Sequence, residues 1–451
     1  MRRLQILSGI FLIMAVSRLN AGDIPPCGTQ DISSPSIDIG KAWSGFPVEF
    51  ALFNRGPWSL IGYYDGDGIL TIALWNSLTR QLSSSQLPER LGWDSHNGIS
   101  VAIDELGYLH VAANMHDTVL TYYVSSERFS TTAFHRVEHM TGVNENSITY
   151  PRFFETRDGR IAFQSRFGRS GSGGIDLKIY DAGTSTWTEA VPGGALLSGQ
   201  GRMSPYPTNI ELGPDGNYHV AWVWRDTPAA ETSHDIYYAW STDLAHWQSA
   251  DGSQLYTPVS SRSPAVVDRV PPGGGVINGL LKIGFDSKRR VILSYHKYDR
   301  EGNSQIFNAR FVEQSWMIRQ ISSWKWRWPF KGLGSFGFDI AIDSPKATDE
   351  NLLEEQFSTK VGGKGTWLVD PDNLRIIGVR PFEYPIPLAE VQPRYGLAGA
   401  ATRYTYAAGE SDGRSRLYLR WESLPLNRDR PLPSRPRPSE LCLLKNLNAV
   451  R

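Results

Sequence analysis

Short runs of alternating apolar and polar residues, each introduced by an aspartate-containing turn, recur along the chain and predict an all-β fold. Seven copies stand out: Asp65-Gly66-Asp67-Gly68 before residues 69–72, Asp104-Glu105-Leu106-Gly107 before 108–111, Asp158-Gly159-Arg160 before 161–163, Asp215-Gly216-Asn217 before 218–222, Asp286-Ser287-Lys288-Arg289-Arg290 before 291–293, Asp370-Pro371-Asp372-Asn373 before 374–377, and Asp412-Gly413-Arg414-Ser415-Arg416 before 417–419. The copies lie about 40 to 85 residues apart, which brackets the roughly 40 to 50 residues of a four-stranded propeller blade with its loops. A seven-bladed β-propeller is the predicted architecture. A pair of β-sandwiches or a β-helix is the alternative, because Asp-Gly turns serve every antiparallel fold. No segment sustains a long 3.6-residue apolar period, which argues against an α-rich fold.

A further turn signal, Ser241-Thr242-Asp243-Leu244-Ala245-His246-Trp247, resembles the Asp-box of sialidase-like propellers, in which the Asp caps a hairpin and the Trp packs between strands. Residues 350–356 and the proline-rich tail from Pro425 to Pro438 read as a surface insertion and a terminal strap. By length alone 451 residues could hold two or three domains, but propellers reach this size as one unit. Residues 22–451 are therefore read as a single propeller domain with N- and C-terminal straps.

Residues 1–21 carry a positive start, Met1-Arg2-Arg3, and an apolar stretch from Leu4 to Val16, the pattern of a signal peptide. A secreted or periplasmic protein is expected, with no membrane attachment after cleavage; a short N-terminal membrane anchor is the alternative. The cysteines are Cys27 and Cys442 alone. In an oxidising compartment they could join the two chain ends, and the sequence leaves that pairing open. Aromatic content of 12 % with 15 Trp, 43 Gly and 28 Pro suits short strands and tight turns and excludes a disordered chain. Lys+Arg and Asp+Glu balance at 46 each, so no global field draws in nucleic acid or an anionic membrane, and any cationic patch is local.

Strand register indicates where such a patch could form, because side chains an even number of positions apart share a face. Asn114 and His116 stand 7 and 9 after Gly107, Arg166 stands 7 after Gly159, Arg225 stands 9 after Gly216, and His296 stands 7 after Arg289. Equivalent positions in a ring of blades converge on one end of the axis, so these residues could line one basic pocket. His110, His135, His139, His219, His234 and His246 read as structural; a lone strand histidine is more often packed or paired than catalytic. Trp93, Tyr123, Trp222, Trp224, Trp324, Trp326 and Trp328 could offer stacking faces to a ligand in a cleft, although most are expected to be packing residues.

Two spacings carry chemistry. His96 and His116 are twenty apart, and Tyr150 and Arg166 are sixteen apart. Imidazole, phenol and guanidinium together are what is needed to remove a carbon-bound proton beside a carboxylate. The segments from Trp93 to His116, Asn146-Ser147-Ile148-Thr149-Tyr150-Pro151, and Phe163 to Gly174 resemble the BNR-repeat polysaccharide lyases, which include propeller ulvan lyases and rhamnose-glucuronate lyases. The likeness is best over residues 90–300. It implies catalytic roles for His96, His116, Tyr150 and Arg166, and substrate-binding roles for Asn97, Asn114, Arg225, His296 and Arg327.

A monomer is expected, and the same resemblance implies that it cleaves an acidic, ulvan-like or rhamnose-glucuronate polysaccharide by β-elimination, leaving C4=C5-unsaturated uronate ends. Arg166 would neutralise the uronate carboxylate, His96 or His116 would take the C5 proton, and Tyr150 would protonate the departing O4. In glucuronate H5 and O4 lie on the same side of the ring, so one residue could serve both steps; iduronate would need two. No cofactor is required for this chemistry. A structural calcium or other metal is compatible with it, whereas a cysteine-ligated zinc is not expected with no cysteine between Cys27 and Cys442. The rival readings are a sialidase-like or five-bladed-type glycoside hydrolase, which needs a carboxylate pair, and a non-catalytic propeller that binds acidic glycan.

Overall fold

The computed structural model describes Cys27 and residues 36–384, 386–394, 396–410 and 416–446. The expected signal peptide, 1–21, and the turn at 411–415 lie outside the described residues. Strands dominate; the described helices are Leu388–Val391 and two single 3-10 turns.

Antiparallel ladders gather the strands into four-stranded meanders in chain order. The first is Ala51–Arg55, Trp58–Tyr64, Ile69–Asn76 and Gln81–Arg90. The second is Ile99–Ile103, Leu109–Ala113, Tyr122–Ser125 and Phe134–Arg136, and the third is Ile148–Glu155, Ile161–Arg169, Ser172–Asp181 and Thr186–Glu189. The fourth runs through Ser204–Pro207, Tyr218–Arg225, Ser233–Ser241 and Trp247–Gln248. The fifth comprises Leu281–Phe285, Val291–Tyr298, Ser304–Val312 and Ser315–Gln320, and the sixth Lys346–Ala347, Leu353–Thr359, Lys364–Asp370 and Arg375–Arg380. A single parallel pair, Phe285 with Lys346, links these two. The first strands of the first three meanders come together around one cavity, lined by 51–52, 99–101 and 151–153 with Asn209 and Ala408. The molecule is a β-propeller.

The last meander joins the two ends of the chain. Ala401–Tyr406, Arg416–Ser423 and Ser439–Asn446 pair in order, and Ile37–Ala42 adds the outer strand. Cys27 and Cys442 form a disulfide across this closure. The proline-rich segment from Pro425 to Pro438 runs as a strap between two strands of this meander, and among the described N-terminal residues Ile37–Ala42 is a ladder strand. The expected insertion at 350–356 is also corrected, since Leu353–Thr359 is a ladder strand in which Leu353 and Glu355 are buried.

Turn chemistry explains the repeats. Asp104 Oδ1 accepts the backbone N–H groups of Leu106 and Tyr108 at 2.9 and 2.8 Å, and Gly107 supplies the left-handed corner. Asp286 does the same for Lys288 and Arg290, with Arg289 in the glycine position at φ 62°. The Asp104, Asp158, Asp215 and Asp286 turns all join first strands to second strands. Two copies are placed differently: Asp65 joins a second strand to a third, and Asp370 a third to a fourth. That accounts for part of the uneven spacing of the repeat. The Asp-box is structural as expected, with Asp243 Oδ1 accepting the N–H groups of Ala245 and His246 and Trp247 fully buried.

Packing between meanders consumes the aromatic residues. Trp222, Trp224, Trp328 and Tyr123 are buried, and Trp93, Trp324 and Trp326 are half-buried against the core, so most of these rings serve packing as expected. His110 and His219 are buried as expected, each held between a turn aspartate and a tyrosine hydroxyl: Asp104 and Tyr122 for the first, Asp215 and Tyr238 for the second.

Candidate active site

In an antiparallel meander the first-to-second turns lie at one end of the strands and the second-to-third turns at the other. The Asp turns mostly mark the first end. Chemistry gathers at the second, where a cleft of about 580 Å³ is lined by Asp94, His96, His116, Tyr150, Arg166, Tyr206 and Arg225, with 332–336 and 428–429 along its rim.

Backbone pairing brings the central residues together. Thr149 stands opposite Arg166 in one ladder and opposite His116 in another. Its buried Oγ1 accepts Arg166 Nη2 and the Asp117 N–H, both at 2.9 Å. The next residue, Tyr150, has φ 58° at a register break between Thr149 and Arg152. A left-handed tyrosine costs of order 1–3 kcal/mol. The bulge turns a side chain of an otherwise buried strand into the cleft, where Tyr150 is 42 % exposed. Its phenol opens to the cleft yet is crowded by protein, and this desolvation raises its pKa to about 12 against the pull of Arg166 and Arg225. It stays protonated at neutral pH.

Arg166 is 2 % exposed. Its Nη1 donates to Tyr206 Oη at 3.1 Å, its Nε has no partner among the described residues, and its guanidinium lies 5.1 Å from the Tyr150 ring centre. Arg225 lies 3.9 Å from the Tyr206 ring centre, donating to Ser233 Oγ and Asn278 Oδ1 at 3.0 Å each. Among the described residues neither arginine has a carboxylate within salt-bridge distance. Two weakly hydrated cations with neutral partners leave an electrostatic vacancy that an anion would fill.

Opposite them, the His96 and His116 rings stack at 4.1 Å with 24° between planes. Asp94 holds both: Oδ1 is 2.8 Å from His96 Nδ1, and Oδ2 is 2.5 Å from His116 Nδ1. Burial pushes the Asp94 carboxyl up, but the hydrogen bonds from His116 and His96 prevail and hold it far below the carboxylate range. An ionised Asp94 draws the proton of each imidazole to Nδ1 and presents Nε2 as a lone pair. His116 Nε2 has no protein partner among the described residues, whereas His96 Nε2 lies 3.4 Å from Ser335 Oγ. Asp94, His96 and His116 also place ligand atoms within 4.8 Å of one another, a donor set suited to a divalent transition metal. The two hydrogen bonds to Asp94 account for the arrangement without one.

Four of the expected binding residues are not brought to this cleft. Asn97 sits in the neighbouring turn, where its carbonyl accepts the Tyr64 hydroxyl. Asn114, at φ 60°, turns its amide to Glu89 Oε2 at 3.0 Å. His296 is fully buried with Nδ1 on the Gly275 carbonyl at 2.5 Å, and burial lowers its pKa to about 4. Its register matches Arg166, but the Gly275 loop and Trp328 cover it. Arg327 stacks on Tyr298 at 3.7 Å and faces outward. Asp94, Thr149, Tyr206, Asn278 and Asp429 complete the cleft without having been among the residues expected from the sequence. Asp94-Ser95-His96 was a readable signal, whereas nothing local marks Asp429, which arrives from the far end of the chain.

A model of a BNR repeat-containing family member matches residues 58–324. None of the curated proteins matches the chain. Among solved structures, polysaccharide lyase Uly1 aligns with a TM-score of 0.57 at 15 % identity over 89 % of this chain and 90 % of that one. An ulvan lyase of family PL25 aligns at 0.58 and 14 %, over 90 % and 95 %; a structure of such a lyase bound to -[GlcA(1-4)Rha3S]- gives the same values. At these identities the likeness is one of fold.

Proposed function

The chain belongs to the BNR repeat-containing family, and from that premise we propose that it is a polysaccharide lyase that cleaves uronate-containing, ulvan-like or rhamnose-glucuronate chains by β-elimination. The observation that carries this reading is the pair of arginines without carboxylate partners, Arg166 and Arg225, facing an Asp94-held histidine pair across Tyr150. Polysaccharide lyases of the same fold, one bound to a glucuronate-rhamnose sulfate unit, support the choice of substrate.

In the proposed reaction a uronate carboxylate docks on Arg166, aided by Arg225. Their charge stabilises the carbanion-like transition state formed as the C5 proton leaves, typically the largest barrier-lowering effect. His116 takes that proton at Nε2 while Asp94 steadies the resulting imidazolium. The C5–H electron pair forms the C4=C5 bond and the C4–O4 bond breaks. Tyr150, neutral and adjacent to Arg166, gives its proton to O4. His96 and Tyr150 ring centres are 5.9 Å apart, so the imidazole stack and the phenol are neighbours. This suits glucuronate, whose H5 and O4 share one side of the ring.

The chemistry needs no cofactor. Export through the 1–21 segment is part of the proposal, and the Cys27–Cys442 disulfide supports it, since such bonds persist in oxidising compartments. A hydrolase is less well supported. Hydrogen bonds hold both cleft carboxylates, Asp94 and Asp429, below the ordinary range, while a hydrolytic general acid needs a raised pKa.

The test is incubation with ulvan and with a glucuronate-rhamnose polymer while following the ultraviolet absorbance of the conjugated product. A rise is expected. New reducing ends without absorbance would establish hydrolysis, and binding without either would leave a glycan-binding propeller.

A further inference from the structure

The segment between Ser423 and Ser439 leaves the last meander and returns to it, with both ends pinned at Ser44. The Leu424 N–H donates to the Ser44 carbonyl at 2.8 Å, and Ser44 Oγ donates to the Arg437 carbonyl at 2.7 Å. Between those pins the chain forms a closed loop of the kind that packs on itself at a protein surface. Its tip crosses to the cleft. Arg428 donates from its backbone to the Ser335 carbonyl at 3.1 Å and from its guanidinium to the carbonyls of Leu333 and Lys331 at 2.5 and 3.2 Å. Arg428 and Asp429 are both left-handed, at φ 62° and 58°. Two successive non-glycine residues in that region are unfavourable and persist only where the surroundings dictate them.

Here they aim one carboxylate. Asp429 Oδ1 accepts the Ser95 N–H at 3.0 Å and Ser95 Oγ at 2.7 Å, and Oδ2 accepts the Ser335 N–H at 3.1 Å. Ser95 lies between Asp94 and His96. One side chain therefore ties together the connection after the first meander, the connection after the fifth and the C-terminal strap. Its Oδ2 is also 3.9 Å from His96 Nδ1.

We propose that Asp429 is a positioning residue for catalysis: by clamping Ser95 it holds the 94–97 turn so that the Asp94 carboxylate meets His116 and His96 squarely, making the strap a working part of the active site. This rests on the lyase reading for its catalytic consequence. The geometry favours a functional role over simple attachment, because the strap already has two pins at Ser44 and three Arg428 bonds that do not touch the catalytic turn. A general base displaced by about 1 Å can lose of order a hundred-fold in rate.

The experiment compares Asp429→Ala, Asp429→Asn and a strap control, Arg435→Ala, which removes only an exposed pair with Asp67. Full-length wild-type protein is measured alongside for kcat, KM and thermal midpoint. Asp429→Ala is expected to lower kcat about ten- to a hundred-fold with KM within about two-fold and the midpoint near wild type. Asp429→Asn, which keeps one acceptor oxygen for Ser95, should recover part of that loss, and Arg435→Ala should match wild type. Wild-type kcat in Asp429→Ala, or equal losses in Asp429→Ala and Arg435→Ala that track the thermal midpoint, overturns the proposal. If wild type itself gives no absorbance change on any uronate polymer, the lyase reading falls and positioning is judged by histidine-ring NMR. Ring resonances of His96 and His116 moved by Asp429→Ala but not by Arg435→Ala support it; unmoved resonances overturn it.

Discussion

The Asp94 carboxylate meets His116 Nδ1 at 2.5 Å, and its other oxygen meets the stacked His96 at 2.8 Å. One acid thus sets the tautomer of two imidazoles. Replacing Asp94 by Asn keeps the shape but offers each ring a neutral partner, one of them through an amide N–H that cannot accept. Asp94→Asn should lower kcat by roughly 10²- to 10⁴-fold, with the fold intact by circular dichroism. Retention of wild-type kcat would remove Asp94 from the mechanism.

Tyr150→Phe deletes one hydroxyl without altering the backbone or the ring contact to Arg166. Turnover should drop by about 10²- to 10⁴-fold while substrate binding stays within a few-fold of wild type. Steady-state kinetics beside direct calorimetric binding separates the two quantities. An active Phe variant would require another proton donor for O4.

Arg166 provides a contrast between function and stability. It is buried with no carboxylate partner, so Arg166→Met removes an uncompensated charge while filling similar space, and such swaps are often neutral or stabilising. The variant should be inactive yet melt no lower than about 2 °C below wild type. A large fall in the melting temperature would show Arg166 to be a structural residue.

Stability should also depend on Glu355, which bridges the fifth and sixth meanders by accepting Ser294 Oγ and, at 3.0 Å, Asn308 Nδ2. Burial raises its pKa to about 7 from 4.5. The folded state then binds more protons than the unfolded state between those values, so unfolding free energy should fall as pH rises from 4.5 to 7, by up to about 3 kcal/mol from this group. Glu355→Gln should flatten that slope in denaturant titrations at several pH values. An unchanged slope would assign the pH dependence to other groups.

The alternating strands, the aspartate turns and the family likeness made the fold legible, because turn geometry and strand period are local properties. The local signal ran out where one turn type serves several positions in a meander: Asp65 and Asp370 carry the motif at turns other than the first. It ran out again at the strand Leu353–Thr359, whose polar residues Glu354, Glu355 and Gln356 read as surface although Glu355 is buried and paired.

For the site, the sequence by itself determined which chemistry was present: His96, His116, Tyr150 and Arg166 stood out by residue type and spacing, and all four meet in the cleft. It also determined that Arg166 and Arg225 share a register. Tertiary structure alone decided the rest. His296 has the same register but lies beneath the Gly275 loop, and Asn114 is turned away by its left-handed backbone, because accessibility depends on what packs above a strand end. Asp429 enters a site 334 residues away in sequence from Ser95. Such a contact is made by closure of the ring and by the course of the strap, and neither leaves a periodic trace in the chain.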